Sequence, residues 1–401
     1  MIIIDAFFWI AGLLLLLVML YLWFLAVASL LPERKPTAVG TPRTRFAILV
    51  PAHNEVGIIE NTLESIQRLK YPADLLETYV IADNCTDQTA ELARSCRATV
   101  LERHDRDRKG KGYALQWAFE ELDKRNLFKT YDAFVIVDAD TLFDGDFLRA
   151  MDIRIARGES VVQGYYDVLN PAESPMASLS FLGFALNRNL KYTGRTKLGS
   201  SSNLLGNGMC FSSRIIEQFG WEATCIVEDM EYAVMLRLGG VAVSFAPEAR
   251  VYAAIPETFK GSRVQRSRWD IGRFQVRNKY IAKLVKAAIR KRDLAYFDTA
   301  MELLIPPFSL FVVLSVSLFG LFLATHITTG FGTLARLWFT VALSLVGYII
   351  LGLITAKADR KTYINLVYAP FFLLWRVGTI IWGYVHKIGG EWIKTDRKDI
   401  S

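Results

Sequence analysis

An uncharged apolar run from Phe7 to Leu31 constrains this chain more than any other feature. At about 1.5 Å per helical residue it is long enough to cross a hydrocarbon core about 30 Å thick. A cleaved secretory signal has a shorter apolar segment with a basic stretch before it. Here only Asp5 precedes the run, so a permanent span is predicted. Arg34, Lys35, Arg43 and Arg45 follow, and that positive excess predicts an N-terminus outside and a cytoplasmic domain after the span. Leu303 to Ala324 and Leu337 to Ala356 read as two further spans, joined by an uncharged loop that contains His326. Ile364 to Val385 is apolar enough to cross as well, but it carries Arg376 at its centre and leads to Lys387, Lys394, Arg397 and Lys398. An interfacial or re-entrant helix reconciles that central charge with a cytoplasmic tail.

Between these ends the pattern changes. Strands are predicted at Arg45–Pro51, Thr78–Asn84, Ala98–Glu102, Phe134–Asp138, Ser160–Val168 and Val241–Tyr252. Helical spacing separates them at Ile58–Leu69, Asp87–Ser95, Tyr113–Lys124, Asp146–Ala156 and Ser174–Tyr192. Alternating strands and helices imply an α/β domain on a mostly parallel sheet. The net charge of +7 is spread over loops beside the apolar runs. No basic stripe with interleaved aromatics marks a nucleic-acid surface. Cys85, Cys96, Cys210 and Cys225 form no close-spaced pair of the metal-binding kind, and free thiols are expected.

The chemistry concentrates at the strand Phe134-Val-Ile-Val-Asp138, which runs into Ala139-Asp140. Ligands of parallel sheets bind at the carboxyl ends of strands. Two carboxylates there suit a divalent cation shared with a diphosphate, although Asp is also an ordinary turn residue. Glu228 and Asp229 open a predicted helix, where acidic residues also act as plain N-terminal partners of the helix dipole. Gly206-Asn-Gly-Met209 is a tight glycine-bearing segment. Pro256 to Arg292 is a basic amphipathic stretch suited to an anionic leaflet. Gly110-Lys-Gly112 lacks the third glycine of a dinucleotide fingerprint, and there is no Walker A loop.

Taken in order, Asp83, Asp138-Ala-Asp140, Glu228-Asp229 and Gln265-Arg-Ser-Arg268-Trp269 resemble the membrane-integrated family 2 glycosyltransferases, the group that includes cellulose, chitin and hyaluronan synthases. The resemblance covers roughly Arg45 to Trp269 and implies a GT-A-type nucleotide-diphospho-sugar transferase domain with N- and C-terminal transmembrane helices. It implies that Glu55 and Asp83 hold the uracil and ribose and that Lys111 reaches the nucleotide. By the same resemblance Asp138 would sit near the nucleotide and Asp140 would bind Mg²⁺ or Mn²⁺, with Asp138 a second metal-side carboxylate. Asp229 matches the general base and Glu228 its supporting neighbour. The resemblance further implies that Gln265, Arg268 and Trp269 would close over the diphosphate and the acceptor end. Val227 stands where many polymerases carry Thr, and the Gly206 segment differs from the acceptor loops of the large synthases.

The expected organisation is a first span over 1–31, a linker over 32–45, the transferase domain over 46–255, amphipathic interfacial helices over 256–300 and a C-terminal membrane region over 301–401. The expected function is inverting transfer from a UDP-sugar to a glycan or lipid acceptor at the plasma membrane, foremost processive synthesis of a β-linked polysaccharide. Two alternatives stand beside it: addition of one sugar to a lipid, of the ceramide glucosyltransferase kind or to a polyprenyl-type acceptor, and a silent sugar-nucleotide-binding membrane protein.

Overall fold

The computed structural model describes residues 2–32, 40–256, 259–326 and 332–386. Arg34, Lys35, Lys387, Lys394, Arg397 and Lys398, on which the predicted orientation partly rests, lie outside the described residues. Helix α1 (Ile2–Leu30) covers the first predicted span. The central region then alternates β1 (Phe46–Ala52), α2 (Ile59–Gln67), β2 (Leu76–Asp83), α3 (Thr89–Ser95), β3 (Thr99–Arg103), α4 (Lys111–Lys124) and β4 (Ala133–Ile136). It continues through β5 (Leu142–Phe143), α5 (Phe147–Ala156), β6 (Val161–Val168) and α6 (Pro175–Ala185). A π-helical turn (Leu186–Tyr192) carries α6 into α7 (Thr193–Lys197), beyond the predicted end at Tyr192. Then come β7 (Met209–Ser212), α8 (Ser213–Phe219), α9 (Glu228–Leu238) and β8 (Ser244–Ala253).

These strands form one eight-stranded sheet in the order β3-β2-β1-β4-β7-β6-β8-β5. The pairs β3–β2, β2–β1, β1–β4 and β6–β8 are parallel, while β4–β7, β7–β6 and β8–β5 are antiparallel. The α/β, mostly parallel expectation holds, with the antiparallel insertion of β7 in the middle. Strand alternation assigns side chains to two cores. Ala47 and Leu49 of β1 pack under α4 and α9 with Phe119, Phe134 and Tyr232. Ile48 and Val50 pack under α2 and α5 with Leu63, Val135 and Met151. A strand buried on both faces needs a continuous apolar run, which is what Phe46-Ala-Ile-Leu-Val supplies. The four cysteines are free thiols.

After the sheet come α10 (Phe259–Lys291), α11 (Leu294–Leu304), α12 (Phe308–His326), α13 (Thr333–Thr355), α14 (Arg360–Asn365) and α15 (Ala369–Val385). Among the described residues, four helices are long and apolar enough to cross a membrane: Ile2–Leu30, Phe308–His326, Thr333–Thr355 and Arg360–Gly383. The second begins later than predicted. Leu303 belongs to α11, because Pro306 and Pro307 interrupt the helix and the next one starts at Phe308. His326 closes α12 rather than lying in the loop, and its ring is 2.9 Å from Asp5 at the start of α1. Phe8 and Met19 of α1, Phe322 of α12 and Trp338 and Tyr348 of α13 share one apolar core. Arg376 is not left bare in the fourth helix. Its guanidinium donates to Asp270 of α10 at 3.0 Å, and the two side chains are 3 % and 4 % exposed.

Candidate active site

Strands β1, β2 and β4 run parallel and end on one edge, so the loops after them meet there. Asn54, in a left-handed conformation, follows β1 and accepts from the Thr86 amide at 2.8 Å, which ties this loop to the one after β2. Next to it, the Glu55 amide donates to Thr89 Oγ1 at 2.9 Å, and its carbonyl starts the turn into α2. Asp83 ends β2 almost buried and accepts from Arg103 at 2.6 Å and from Asn84 at 3.0 Å. Burial pushes its carboxyl above the usual range, and Arg103 opposes that shift. Arg103 also donates to Asp105 at 2.9 Å and to the Arg108 carbonyl at 2.7 Å, folding the charged loop back onto the sheet. Sequence reading missed Arg103. Its signal was register: in a parallel β2–β3 pair the last residues, Asp83 and Arg103, stand side by side.

The strand β4 stops at Ile136, so Asp138 and Asp140 lie on the loop just beyond it. Lys111, which opens α4, donates to Asp138 at 2.6 Å and to the Gly206 carbonyl, and stands 4.0 Å from Glu228. Asp140 is 6 % exposed. Asn207, also missed, is fully buried and binds the loop to the glycine segment. Its Oδ1 accepts from Thr141 at 3.0 Å and from the Asp138 amide at 3.3 Å, while its carbonyl accepts from Gln163 at 2.7 Å. Gly206 requires its missing side chain: φ is +77°, and a Cβ would stand 3.2 Å from Asp229 Oδ2.

Glu228 and Asp229 occupy the first turn of α9, where the helix dipole favours negative charge. Asp229 Oδ1 accepts from the Met230 amide at 2.8 Å, which leaves Oδ2 facing Gly206. Burial, then repulsion from Glu228, pushes the Asp229 carboxyl up to about 7. Glu228 is itself raised by burial, with Lys111 pulling the other way. Three carboxylates and one lysine thus converge where the glycine segment, α4 and α9 meet.

Helix α10 lies against this cluster. Glu231 of α9 is buried and accepts from Lys279 at 2.6 Å and Tyr280 at 3.0 Å. Gly272 allows close approach, since a Cβ there would stand 2.6 Å from Val227 Cγ1. Gln265, Arg268, Trp269 and Gly272 share one face at three- and four-residue spacing. Arg268 is close enough to Glu228 to favour its charged form. Trp269 is 39 % exposed and meets Phe184 edge-on, ring centres 6.1 Å apart. The opposite face packs on α15: Ser267 donates to the Thr379 carbonyl at 2.9 Å, Arg263 lies 4.4 Å over Trp382, and Asp270 holds Arg376.

Among the described residues no three His, Cys, Asp or Glu side chains gather as a metal cage. Asp138 and Asp140 offer two hard oxygen donors, which suits a cation such as Mg²⁺ that completes its shell with phosphate oxygens and water. The donor set fits a cation shared with a diphosphate, and it does not fit a protein-only site.

Residues 42–272 match the family described as "Glycosyltransferase like family 2". The chain is 26% identical over 377 residues to "Probable glycosyltransferase YdaM" of Bacillus subtilis (strain 168), covering 88% of this chain and 87% of that protein. It is 24% identical over 278 residues to the poly-beta-1,6-N-acetyl-D-glucosamine synthase of Staphylococcus aureus (strain MSSA476), covering 67% of this chain and 63% of that one. Among solved structures, the mannosyltransferase PcManGT from Pyrobaculum calidifontis, in complex with GDP-Man and Mn²⁺, superposes with a TM-score of 0.58 at 20% identity. That alignment covers 90% of this chain and 98% of the other, and at such identity it speaks for the fold alone.

Proposed function

The chain belongs to the family 2-like glycosyltransferases, and from that premise we propose that it moves a sugar from a UDP-sugar to an acceptor hydroxyl with inversion, extending a β-linked polysaccharide at the plasma membrane. The observation that carries this reading is the convergence of Asp138, Lys111, Glu228 and Asp229 beside the Gly206 segment. Asp229 Oδ2 takes the proton of the acceptor hydroxyl, whose oxygen attacks the anomeric carbon. The bond from that carbon to the diphosphate oxygen breaks, and its electron pair leaves with UDP. A carboxylate raised to about 7 suits a general base at neutral pH. Lys111 brings positive charge to the nucleotide side, and Arg268 presents a fork of donors matched to phosphate oxygens. Trp269 offers the acceptor sugar an apolar face. Glu55 and Asp83 form the nucleoside end, with Arg103 fixing Asp83. A divalent cation, held by Asp140 and Asp138, would neutralise charge on the departing diphosphate.

The polymer reading draws support from the Staphylococcus aureus relative, named as a polysaccharide synthase, and from the Gln265-Arg-Ser-Arg268-Trp269 motif on the face toward the acidic cluster. Transfer of one sugar to a lipid is the second reading. It is favoured by the modest number of candidate membrane helices, four among the described residues, since a lipid acceptor needs no polymer conduit. The test is nucleotide release from protein in nanodiscs, with each UDP-sugar and with GDP-mannose, in Mn²⁺ or Mg²⁺ and then chelator, beside Asp229→Asn. Release with one UDP-sugar, abolished by chelator and lowered about 10²–10⁴-fold in the variant, supports the reading. Release with GDP-mannose alone refutes the donor assignment. A high-mass product then separates polymer from glycolipid.

A further inference from the structure

Away from the acidic cluster, α1, the π-helical turn, α10, α11, α12 and α13 surround a cavity of about 110 Å³. A single water needs about 10–15 Å³ on the same measure, so there is room for a larger group. The walls divide by chemistry. Asn187, Lys191 and Tyr192 of the π-helical turn, Arg273 of α10 and Glu302 of α11 line one side. Leu22, Phe308 and Phe311 line the other, and all three belong to helices long and apolar enough to cross a membrane.

The charges on the polar side do not cancel. Glu302 lies 2.9 Å from Lys191, 2.9 Å from Arg195 and 3.7 Å from Arg273. Asp298 lies 3.3 Å from Arg195 and also accepts from Tyr21 and Ser200. Among the described residues, two cations, Lys191 and Arg273, and one carboxylate, Glu302, line the cavity, with the Arg195–Asp298 pair behind that wall, all largely out of water. Burial, together with repulsion from Arg195 and Arg273, pulls Lys191 down to about 8 in spite of Glu302. Arg273 spends one arm on the Glu302 and Ile305 carbonyls, and its Nε is buried with no hydrogen-bond partner among the described residues. Surplus positive charge in such a place is costly unless something anionic answers it.

We propose that this cavity binds the phosphate of an anionic membrane lipid, with the headgroup at Lys191 and Arg273 and an acyl chain along Leu22, Phe308 and Phe311. Basic pockets between membrane helices are suited to anionic headgroups. The apolar wall distinguishes a lipid from free phosphate, which carries the same charge but has no use for Phe308 and Phe311. The site lies one helical turn beyond Trp269 on α10, at Arg273, and it is separate from the residues assigned to the donor.

Native mass spectrometry of the full chain tests this, after exchange into phosphatidylglycerol, phosphatidylcholine or a mixture of the two. One retained phosphatidylglycerol, preferred at least tenfold over phosphatidylcholine, is the expected result. Lys191→Met should lose that preference. Because Lys191→Met also disturbs Glu302, Asn187→Trp serves as the second variant: it fills the cavity, leaves every ion pair in place, and should lose the lipid too. Equal retention of both lipids by the unaltered protein overturns the proposal, and so does undiminished retention in Asn187→Trp. Displacement of phosphatidylglycerol by millimolar inorganic phosphate would reassign the site to the free anion and refute the lipid.

Discussion

Arg376 and Asp270 set a sharp test of how the membrane helices bear on the chemistry. The pair is almost wholly buried, with contacts of 2.9 and 3.0 Å, and a third link runs from Arg376 Nε to Ser309 of α12 at 3.1 Å. Arg376→Leu strands a buried carboxylate, and Asp270→Leu strands a buried guanidinium, each at a cost of about 3–5 kcal/mol. Replacing both with leucine removes both charges and is expected to be close to neutral. Asp270 directly follows Trp269, on the face of α10 opposite Arg268. Displacement of the helix should therefore appear in transfer as well as in stability. A double-mutant cycle on kcat/KM for nucleotide release is expected to give a coupling of about 2–3 kcal/mol. Each single variant should lose at least tenfold in rate, with the double variant recovering most of it. Additive effects, with coupling below about 0.5 kcal/mol, would refute the idea that this pair holds the motif face in place.

The candidate active site makes four further predictions. The proposed base Asp229 must be ionised to act, and its carboxyl is raised to about 7, so on that proposal kcat/KM should fall as pH drops, to about a tenth of its plateau one unit below that value. Glu228→Gln removes the second largest cause of the elevation and should move this limb to lower pH; a limb left in place contradicts the assignment. Arg103→Leu leaves Asp83 buried without its guanidinium and should raise the donor KM about tenfold or more, ~1.4 kcal/mol, with kcat changed less; an unaltered KM would remove Asp83 from the nucleoside end. Gly206→Ala should lower activity, since φ of +77° strains an L-residue by about 1–2 kcal/mol and the new methyl would crowd Asp229 Oδ2; full activity would show that the segment is free to move away.

The α/β class was legible because strand and helix periods alternate cleanly from β1 to β4, and the spans because long uncharged runs have few other uses. The acidic residues were legible by their order, and three of them converge with Lys111. Arg103, Asn207 and Arg376 were not, for a common reason: each acts through a partner set by tertiary register. Arg103 reaches Asp83 only because β2 and β3 end together. Asn207 reads as a turn residue until Gln163 and Thr141 fix it from two sides. Arg376 weighed against a fourth crossing, and its partner Asp270, 106 positions away, was not legible in the sequence. Glu231 shows the opposite error in waiting. It shares an acidic run with Glu228 and Asp229, yet its carboxylate is taken up by Lys279 and Tyr280 of α10.

Helix α10 therefore explains why residues so far apart in sequence form one site. One face carries Gln265, Arg268 and Trp269, of which Arg268 stands near Glu228, and Gly272 on that face packs against Val227. The other face is closed by α15 through Asp270, Ser267 and Arg263. Its basic character, which alone would suit a helix lying on an anionic leaflet, has a second use here. Arg263 and Arg266 lie over aromatic rings of the C-terminal helices, and Arg273 caps the turn between α11 and α12. A helix fixed on both faces cannot shift at one without loading the other. Helix α15 and the start of α9 thus both pack on one element, and a substitution on either face of α10 should be felt at both.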